Sequence, residues 1–337
     1  MISDHYYYHR LTPKNQSFYK TLYDGLIKLD KYIMCMDPAF TPGDLDEIYN
    51  AIYFDNPYLF FLGNSIKVEG NALGLLKVTP EYLFSDDEIQ DLRSKIERNT
   101  TKLLSRADLV DGDHYNNVKK LYELLCENIE YDRTISDSLD DVDSYYSHSI
   151  LGIILRKKGV CSGVSRTFKY LLNAIGIPSI VVIGRASETE FMPSSDNHAW
   201  NIVKIDGNNY HLDLTWDSCL SHPGLTAYDY FFITDDEISI DHTGFEGMPN
   251  CSDDSLGFFF QKGSYITEMR GIDNIISNAL KQSLARIYFK CPKDIPVNTI
   301  LENVQNSVFD KLLRDGKSAD LSVRTNLRQN IVDIRVN

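Results

Sequence analysis

Three residues in the central part of the chain have side chains that together could perform acyl transfer through sulfur. Cys161 could supply a thiol nucleophile, His198 an imidazole base and Asp213 a carboxylate that orients the imidazole. In such a site the substrate is held briefly as a thioester, which a second acceptor then resolves. Whether the three residues can meet depends on the elements that carry them.

The residues after Cys161 predict a helix. Apolar residues recur there at helical spacing, and they are Val164, Phe168, Leu171, Leu172 and Ile175. Gly176 and Pro178 end the pattern, so Cys161 lies at or near the helix N-terminus. The exposed N–H groups and the positive dipole end at that position favour a thiolate over a thiol.

The other two residues are predicted to lie on a hairpin. Residues 198–205 have the alternating pattern of a strand, and Asp206-Gly207 is a strong signal for a two-residue hairpin turn. With that turn, His198 and Asp213 become diagonal neighbours on one face of adjacent strands. Their polar side chains would then be within reach of each other.

Three motifs around these residues resemble those of the transglutaminase-like superfamily, and of its bacterial members in particular. Residues 159–163 are Gly-Val-Cys-Ser-Gly, residues 198–201 are His-Ala-Trp-Asn, and residues 210–217 are Tyr-His-Leu-Asp-Leu-Thr-Trp-Asp. They occur in the order of the family and at compatible spacings, within a similar stretch from about Val118 to His242.

The resemblance implies an α+β fold with a papain-like, transglutaminase-like core, in which the helix of Cys161 packs on an antiparallel sheet that carries His198 and Asp213. It implies a cysteine enzyme that acts on amide bonds of a peptide or protein. Water as the acceptor would make it a peptidase or amidase, and an amine would make it a transamidase. The bacterial relatives favour hydrolysis.

Residues that could contact the substrate are less clearly marked. No glutamine or tryptophan stands at a recognisable oxyanion-hole position upstream of the cysteine, and the nearest polar candidates are His148 and Ser149. Trp200 and Trp216 could form substrate walls or belong to the core, since aromatic side chains supply much of the buried area in either role.

Composition favours a globular enzyme that acts without nucleic acid. The chain has 337 residues, of which 43% are hydrophobic and 12% aromatic, enough to fill the cores of two or three domains. A net charge of −14 argues against nucleic-acid and anionic-membrane partners, which require basic patches. No cofactor or metal is expected from the sequence, and the oligomeric state is not encoded in any recognisable pattern.

A cytoplasmic location is expected. The first residues lack the basic start and apolar stretch of a signal peptide, and no 18-residue apolar run follows. The six cysteines are widely scattered, without a Cys-x-x-Cys pair, which indicates reduced thiols rather than a disulfide framework.

The chain is predicted to have three parts. Residues 1–107 form an N-terminal α+β accessory domain, with helix-start signals at Thr41 and Ser85. Residues 108–245 form the catalytic core, and residues 246–337 form a C-terminal α/β accessory region. The accessory elements are predicted as strands near 58–62 and 75–84, helices near 272–284 and 300–313, and strands near 286–291 and 331–336.

Two other classes of function remain open. The chain could be a non-catalytic protein-binding module that retains the fold, although an intact triad argues against this. It could also bind a metal through Cys161, His198 and Asp213, with help from Cys219 and His222, although that ligand spacing matches no structural zinc pattern.

Overall fold

The structure is a computed structural model of the chain. It describes residues 5–36, 41–71, 73–135, 141–189, 195–282, 284–296, 298–304 and 321–336. These residues form two compact units. The first is built from described residues of Met1–Ile183, His198–Gly207 and Asp213–Thr226, and the second from those of Gly184–Asn197, Asn208–Leu212 and Ala227–Asn337.

The N-terminal part of the first unit combines helices with a small antiparallel sheet. Its elements are α1 (Tyr6–Arg10), α2 (Pro13–Lys28), β1 (Ile33–Met36), α3 (Pro42–Asp55), β2 (Leu62–Gly70), β3 (Leu75–Tyr82) and α4 (Asp86–Arg106). The strand order is β1-β3-β2. The predicted helix starts are present as capping boxes at Thr41 and Ser85, in which side chain and backbone exchange hydrogen bonds.

The central part contains the three motifs. Its elements are α5 (His114–Asn128), β4 (Glu130–Tyr131), α6 (Val142–Ser147), a π-helical turn (Gly152–Arg156), β5 (Lys158–Gly159), α7 (Cys161–Ala174), β6 (Ser179–Ala186), β7 (Ser195–Ile205), β8 (Asn208–Leu212), α8 (Leu214–Leu220), β9 (Phe231–Ile233), α9 (Asp235–Ile238) and β10 (His242–Thr243). Helix α7 buries its predicted apolar face, and Gly176 follows with the positive φ of 75° that is common after a helix C-terminus.

A five-stranded sheet has the strand order β10-β6-β7-β8-β9. The turn between β7 and β8 consists of Asp206 and Gly207, which have φ angles of 49° and 91°. Positive φ at both central residues is typical of the type I′ turn that Asp-Gly favours. The α+β class predicted for this chain is confirmed.

The C-terminal part belongs to the second unit. Its elements are α10 (Phe258–Gln261), α11 (Met269–Lys281), β11 (Arg286–Lys290), β12 (Leu321–Asn326) and β13 (Ile331–Val336), and residues 298–304 are also helical. The strands form an antiparallel sheet in the order β11-β13-β12, and apolar residues of α11 pack in one buried cluster with residues of β11 and β13.

Three local predictions need correction or qualification. The strand predicted at 58–62 is a turn with buried apolar residues, and β2 begins only at Leu62. Strand β12 was not predicted, and residues 305–313 of the predicted helix lie outside the described residues. Asp213 is not in a strand, because β8 ends at Leu212 and Asp213 is instead the N-cap of α8.

Among the residues that the structure describes, none of the helices combines the length and the apolar composition needed to cross a membrane. All six cysteines lie in the described ranges and are free thiols.

Candidate active site

Cys161 is the first residue of α7, as the spacing of apolar residues predicted. The N-cap residue Val160 has an extended backbone and contributes no side-chain cap. N–H groups in the first turn of a helix have no acceptor within the helix, so they and the helix dipole favour negative charge at this end. The thiol is partly exposed, whereas four of the other five cysteines are buried.

His198 and Asp213 form a short hydrogen bond in the interior of the first unit. His198 Nε2 lies 2.6 Å from Asp213 Oδ2, and the two side chains are 3% and 0% exposed. The other carboxylate oxygen, Oδ1, accepts a 3.1 Å hydrogen bond from the backbone N–H of Trp216 and so caps α8. The cap holds the carboxylate in place while its second oxygen faces the imidazole.

The imidazole of His198 also forms a hydrogen bond with the thiol of Cys161. Because Nε2 is bonded to Asp213, Nδ1 is the ring nitrogen left for the sulfur. Burial is the largest single influence on the imidazole and lowers its pKa, but the charge of Asp213 and the hydrogen bonds to Asp213 and Cys161 outweigh it and raise the pKa to about 10. The structure therefore brings the three predicted residues together in one chain of hydrogen bonds.

Two tryptophans pack against the ring of His198. Trp200 stacks on it with centroids 5.9 Å apart, and Trp216 lies at 5.6 Å with a tilted ring. Both indoles are only 1% exposed. They restrict the motion of the imidazole and keep water from the His198–Asp213 hydrogen bond, but they present little surface to a bound substrate.

The two polar candidates upstream of the cysteine differ in their surroundings. His148 Nδ1 lies 2.9 Å from Oγ of Ser162, the residue that follows Cys161, so this imidazole is at the N-terminal end of α7. Ser149 is fully buried, and its hydroxyl donates to the backbone carbonyl of Tyr146 and accepts from a backbone N–H two residues further on. The hydroxyl of Ser149 is thus used within its own turn.

The segment before the π-helical turn packs directly on the first turn of α7. The backbone N–H of Val160 donates a 3.0 Å hydrogen bond to the carbonyl of Ser147. A Cβ atom on Gly163 would lie 2.2 Å from that same carbonyl oxygen. The second glycine of the Gly-Val-Cys-Ser-Gly motif is therefore required by close backbone contact.

Asn201 was not singled out from the sequence, yet it joins the helix to the strand. Its Nδ2 atom donates hydrogen bonds to the carbonyls of Ser165 in α7, at 3.0 Å, and Ile180 in β6, at 3.3 Å. The side chain is fully buried. The available signal was its place at the end of the His-Ala-Trp-Asn motif, as the one amide side chain among the largely apolar residues 199–205.

Tyr122 of α5 braces the carboxylate end of the site and was also missed. Its hydroxyl lies 3.0 Å from the backbone carbonyl of Asp213 and 2.6 Å from Oδ2 of Asp217. Burial, followed by the charge of Asp217, raises the pKa of Tyr122 well above its usual value, so the hydroxyl remains a donor. The signal for this contact was helical spacing, because Tyr122 lies four residues after Val118 and three before Leu125, on the buried apolar face of α5.

The motifs and this geometry agree with a comparison of sequences. Residues 104–214 match the sequence model of the transglutaminase-like superfamily. These residues are a transglutaminase-like core. The predicted family is confirmed for about one third of the chain, and members of this superfamily are often enzymes.

Solved structures with likeness to the chain include a TGase (15% identity, TM-score 0.30), an inferred cysteine protease from Cytophaga hutchinsonii (15%, 0.28) and the periplasmic domain of TgpA from Pseudomonas aeruginosa (15%, 0.24). The matches cover 55%, 45% and 47% of this chain, and 50%, 61% and 66% of those proteins. At such low TM-scores they add nothing to the family assignment. No curated protein sequence matches the chain.

The metal-binding hypothesis combined Cys161, His198 and Asp213 with Cys219 and His222. Within the described ranges, Cys161, Cys219 and His222 belong to none of the clusters in which three or more ligand-type side chains converge.

Proposed function

We propose that the chain is a cysteine-dependent acyl-transfer enzyme that cleaves amide bonds of peptides or proteins, with water as its usual acceptor. The observation that carries this proposal is the position of His198 between Asp213, at 2.6 Å, and the thiol of Cys161. An activated nucleophile is expected to form a hydrogen bond with a base, and a third group is expected to orient that base.

In the first half of the reaction, the thiol proton of Cys161 has already passed to His198, and the thiolate Sγ attacks the amide carbonyl carbon. The carbonyl oxygen becomes an oxyanion, which backbone N–H groups at the N-terminus of α7 would stabilise. The C–N bond then breaks, and His198 returns the proton to the leaving amine. The products of this half are a free amine and a thioester on Cys161.

In the second half, water attacks the thioester carbon and gives one proton to His198. The C–S bond breaks, the acid leaves and the proton returns to the sulfur. If a primary amine attacks instead of water, the product is a new amide. Both outcomes use the same triad and differ in water exclusion and acceptor access, and the preference for water rests on the resemblance to bacterial relatives.

The remaining candidates have different roles in this proposal. His148 lies beside Ser162 at the end of α7 where the oxyanion would form, so we assign it to oxyanion or substrate contact. Trp200 and Trp216 position His198 from the buried side. Ser149 supports the turn through its backbone hydrogen bonds.

A protein or peptide substrate is part of the proposal, and the charge of −14 disfavours nucleic acid and anionic membranes as partners. The cytoplasmic location and the three-part division at residues 107 and 245 stay predictions.

The decisive experiment is a turnover assay with a peptide library and a labelled primary amine, with products read by mass spectrometry. Hydrolysis adds the mass of water across the cleaved bond, whereas transamidation adds the label. We expect hydrolysis products from the wild-type chain and none from Cys161→Ala. Equal yields from the two proteins would overturn the nucleophile assignment, and the binding-module hypothesis would become the better one only if that activity came from a contaminant.

A second assay follows the thiol itself. Iodoacetamide near pH 6 should label Cys161 faster than Cys219, the other partly exposed cysteine, whose pKa burial raises to about 11. The matched comparison is Cys161 itself in the His198→Ala variant, where labelling should slow because proton transfer to the imidazole supplies the thiolate. Equal labelling of the two cysteines in the wild type would count against the thiol–imidazole pair.

A further inference from the structure

A cluster of metal-ligand side chains lies in the second compact unit, apart from the residues of the proposed mechanism. It consists of His211, Asp235 and Cys251, whose donor atoms all lie within 4.8 Å of one another. Nε2 of His211 is 2.8 Å from Oδ1 of Asp235. The imidazole and the thiol are fully buried, and the carboxylate is 31% exposed.

Backbone hydrogen bonds hold the three donors in this arrangement. His211 in β8 pairs with Ile233 in β9, which leads directly into α9 and its first residue, Asp235. The backbone N–H of Asp235 donates to the carbonyl of Cys251 at 2.8 Å, and the N–H of Cys251 donates to Oδ2 of Asp235 at 2.9 Å. The positions of the three donors are therefore set by two strands, the start of a helix and a loop held by hydrogen bonds. A metal ion would bind donors that are already in place.

The donor set has the chemistry of a transition-metal site. One imidazole nitrogen, one carboxylate oxygen and one sulfur are all ligands of Zn²⁺, and three protein ligands with an open fourth position are typical of zinc sites that bind a further small molecule. Ca²⁺ and Mg²⁺ prefer oxygen ligands, so a buried sulfur and imidazole disfavour both ions.

A cavity of about 290 Å³ borders two of the three donors. Asp235 and Cys251 line it together with Asn250, Phe260 and Tyr265. The cavity is also lined by Asp236, Glu237 and Asp254, so water or a small amine, rather than an anion, would suit the fourth position of a metal held by the cluster.

We propose that His211 Nε2, an oxygen of Asp235 and Sγ of Cys251 bind one Zn²⁺-class divalent ion, with a fourth position open to this cavity. On binding, the Cys251 thiol loses its proton to solvent and the sulfur binds as a thiolate. The remaining imidazole proton lies on Nδ1 of His211, and the hydrogen bond between His211 and Asp235 is replaced by two bonds to the metal. None of these residues takes part in the proposed acyl transfer, so the two proposals can fail separately.

The test is a cobalt titration of the full chain after treatment with a chelator. We expect one Co²⁺ per chain, with the visible bands of a four-coordinate ion and a thiolate-to-cobalt charge-transfer band in the near ultraviolet. Zn²⁺ should displace the cobalt and remove the bands. Octahedral cobalt bands or no saturable binding to the folded wild-type chain would overturn the proposal, and this measurement needs no variant.

Variants then assign the ligands. Cys251→Ser should abolish the charge-transfer band, and His211→Gln should weaken binding at least tenfold. Cys291→Ser is the matched control, because Cys291 is a buried thiol of the same unit outside the cluster. Cys161→Ser should also keep the band, which separates this site from the triad. A charge-transfer band that persists in folded Cys251→Ser would overturn the assignment of the sulfur ligand.

Discussion

Asn201 in β7 donates a 3.0 Å hydrogen bond from Nδ2 to the backbone carbonyl of Ser165 in α7. The bond joins the strand that carries His198 to the helix that carries Cys161, and both Asn201 and Ser165 are buried. The distance between thiol and imidazole therefore depends on an amide that takes no part in the proposed chemistry.

Replacing this amide should separate the two elements. We expect Asn201→Ala to lower the free energy of unfolding by about 1–3 kcal/mol, because two buried carbonyls lose their donor. It should also slow alkylation of Cys161 and lower kcat more than it raises KM. Urea unfolding and labelling kinetics give the two readouts.

Thr167→Val is the control for Asn201→Ala, since Thr167 is buried in the same helix and its hydroxyl bonds only to the carbonyl of Gly163 within α7. Loss of the Thr167 hydroxyl should lower the free energy of unfolding without slowing the alkylation of Cys161. Similar slowing in both variants would show that α7 is generally loosened, and would contradict a specific positioning role for Asn201.

Gly163 should tolerate no side chain. A Cβ atom there would lie 2.2 Å from the carbonyl oxygen of Ser147, and backbone cannot yield as a flexible side chain can. We expect Gly163→Ala to destabilise the chain by about 1–3 kcal/mol or more. Gly43, near the start of α3, is the matched position, because the nearest atom to its added Cβ would be 3.9 Å away. Thermal denaturation should show Gly43→Ala to be neutral or slightly stabilising, and equal losses would refute the steric argument.

Two substitutions of Asp213 should separate its two roles. Asparagine can cap α8 as aspartate does, whereas alanine cannot, so Asp213→Ala should be less stable than Asp213→Asn by about 1 kcal/mol. Both should impair turnover, because neither supplies a charge to orient His198. The same exchange in a serine triad lowers kcat about 10⁴-fold, and a cysteine enzyme can lose less because helix and imidazolium stabilise its thiolate.

We therefore expect activity to decrease in the order Asp213→Asn, His198→Ala, Cys161→Ala, with none left in the last. The measurement is the initial rate on a peptide that the wild-type chain cleaves. Full activity in Asp213→Asn would remove the carboxylate from the mechanism.

The raised pKa of His198 should make stability depend on pH. Its value of about 10 exceeds the ordinary value of 6.5, so the folded state holds a proton that the unfolded state releases. The stabilisation is complete below about pH 6.5 and is lost as the pH rises toward about 10. The difference in unfolding free energy between wild type and His198→Gln should therefore shrink across this window. Urea titrations at several pH values measure it, and a difference that grows with pH would contradict the assignment.

Local sequence patterns were sufficient for several elements. The apolar spacing after Cys161 identified α7, and Asp206-Gly207 identified the turn after β7. Thr41 and Ser85 identified two helix starts. The deciding factors are periodic burial in α7, the positive φ angles that Asp-Gly tolerates in the turn, and hydrogen bonds between residues three positions apart at the helix starts, all of which are local in sequence.

The position of Asp213 as the N-cap of α8 could not be derived from local sequence patterns. The sequence placed Asp213 in the second strand of a hairpin, as a diagonal neighbour of His198 on the same face. Instead the chain turns into α8 at this residue, where the Asp213 cap, burial of Trp216 and the contact of Tyr122 with Asp217 act together. The proximity to His198 was predicted, but the cap that orients the carboxylate depends on packing against α5.

Only the tertiary structure shows the contacts between segments that are far apart in sequence. Asn201 and Ser165, Tyr122 and Asp217, and the cluster of His211, Asp235 and Cys251 have no shared local pattern. These residues come into contact because the helices and strands that carry them bury their apolar faces together. That packing depends on many contacts across the chain, so no short stretch of sequence reveals it. The sequence by itself indicated the family resemblance of the central residues, the three residues of the proposed triad and the helix that carries the thiol, because each of these is marked by residue type and local spacing.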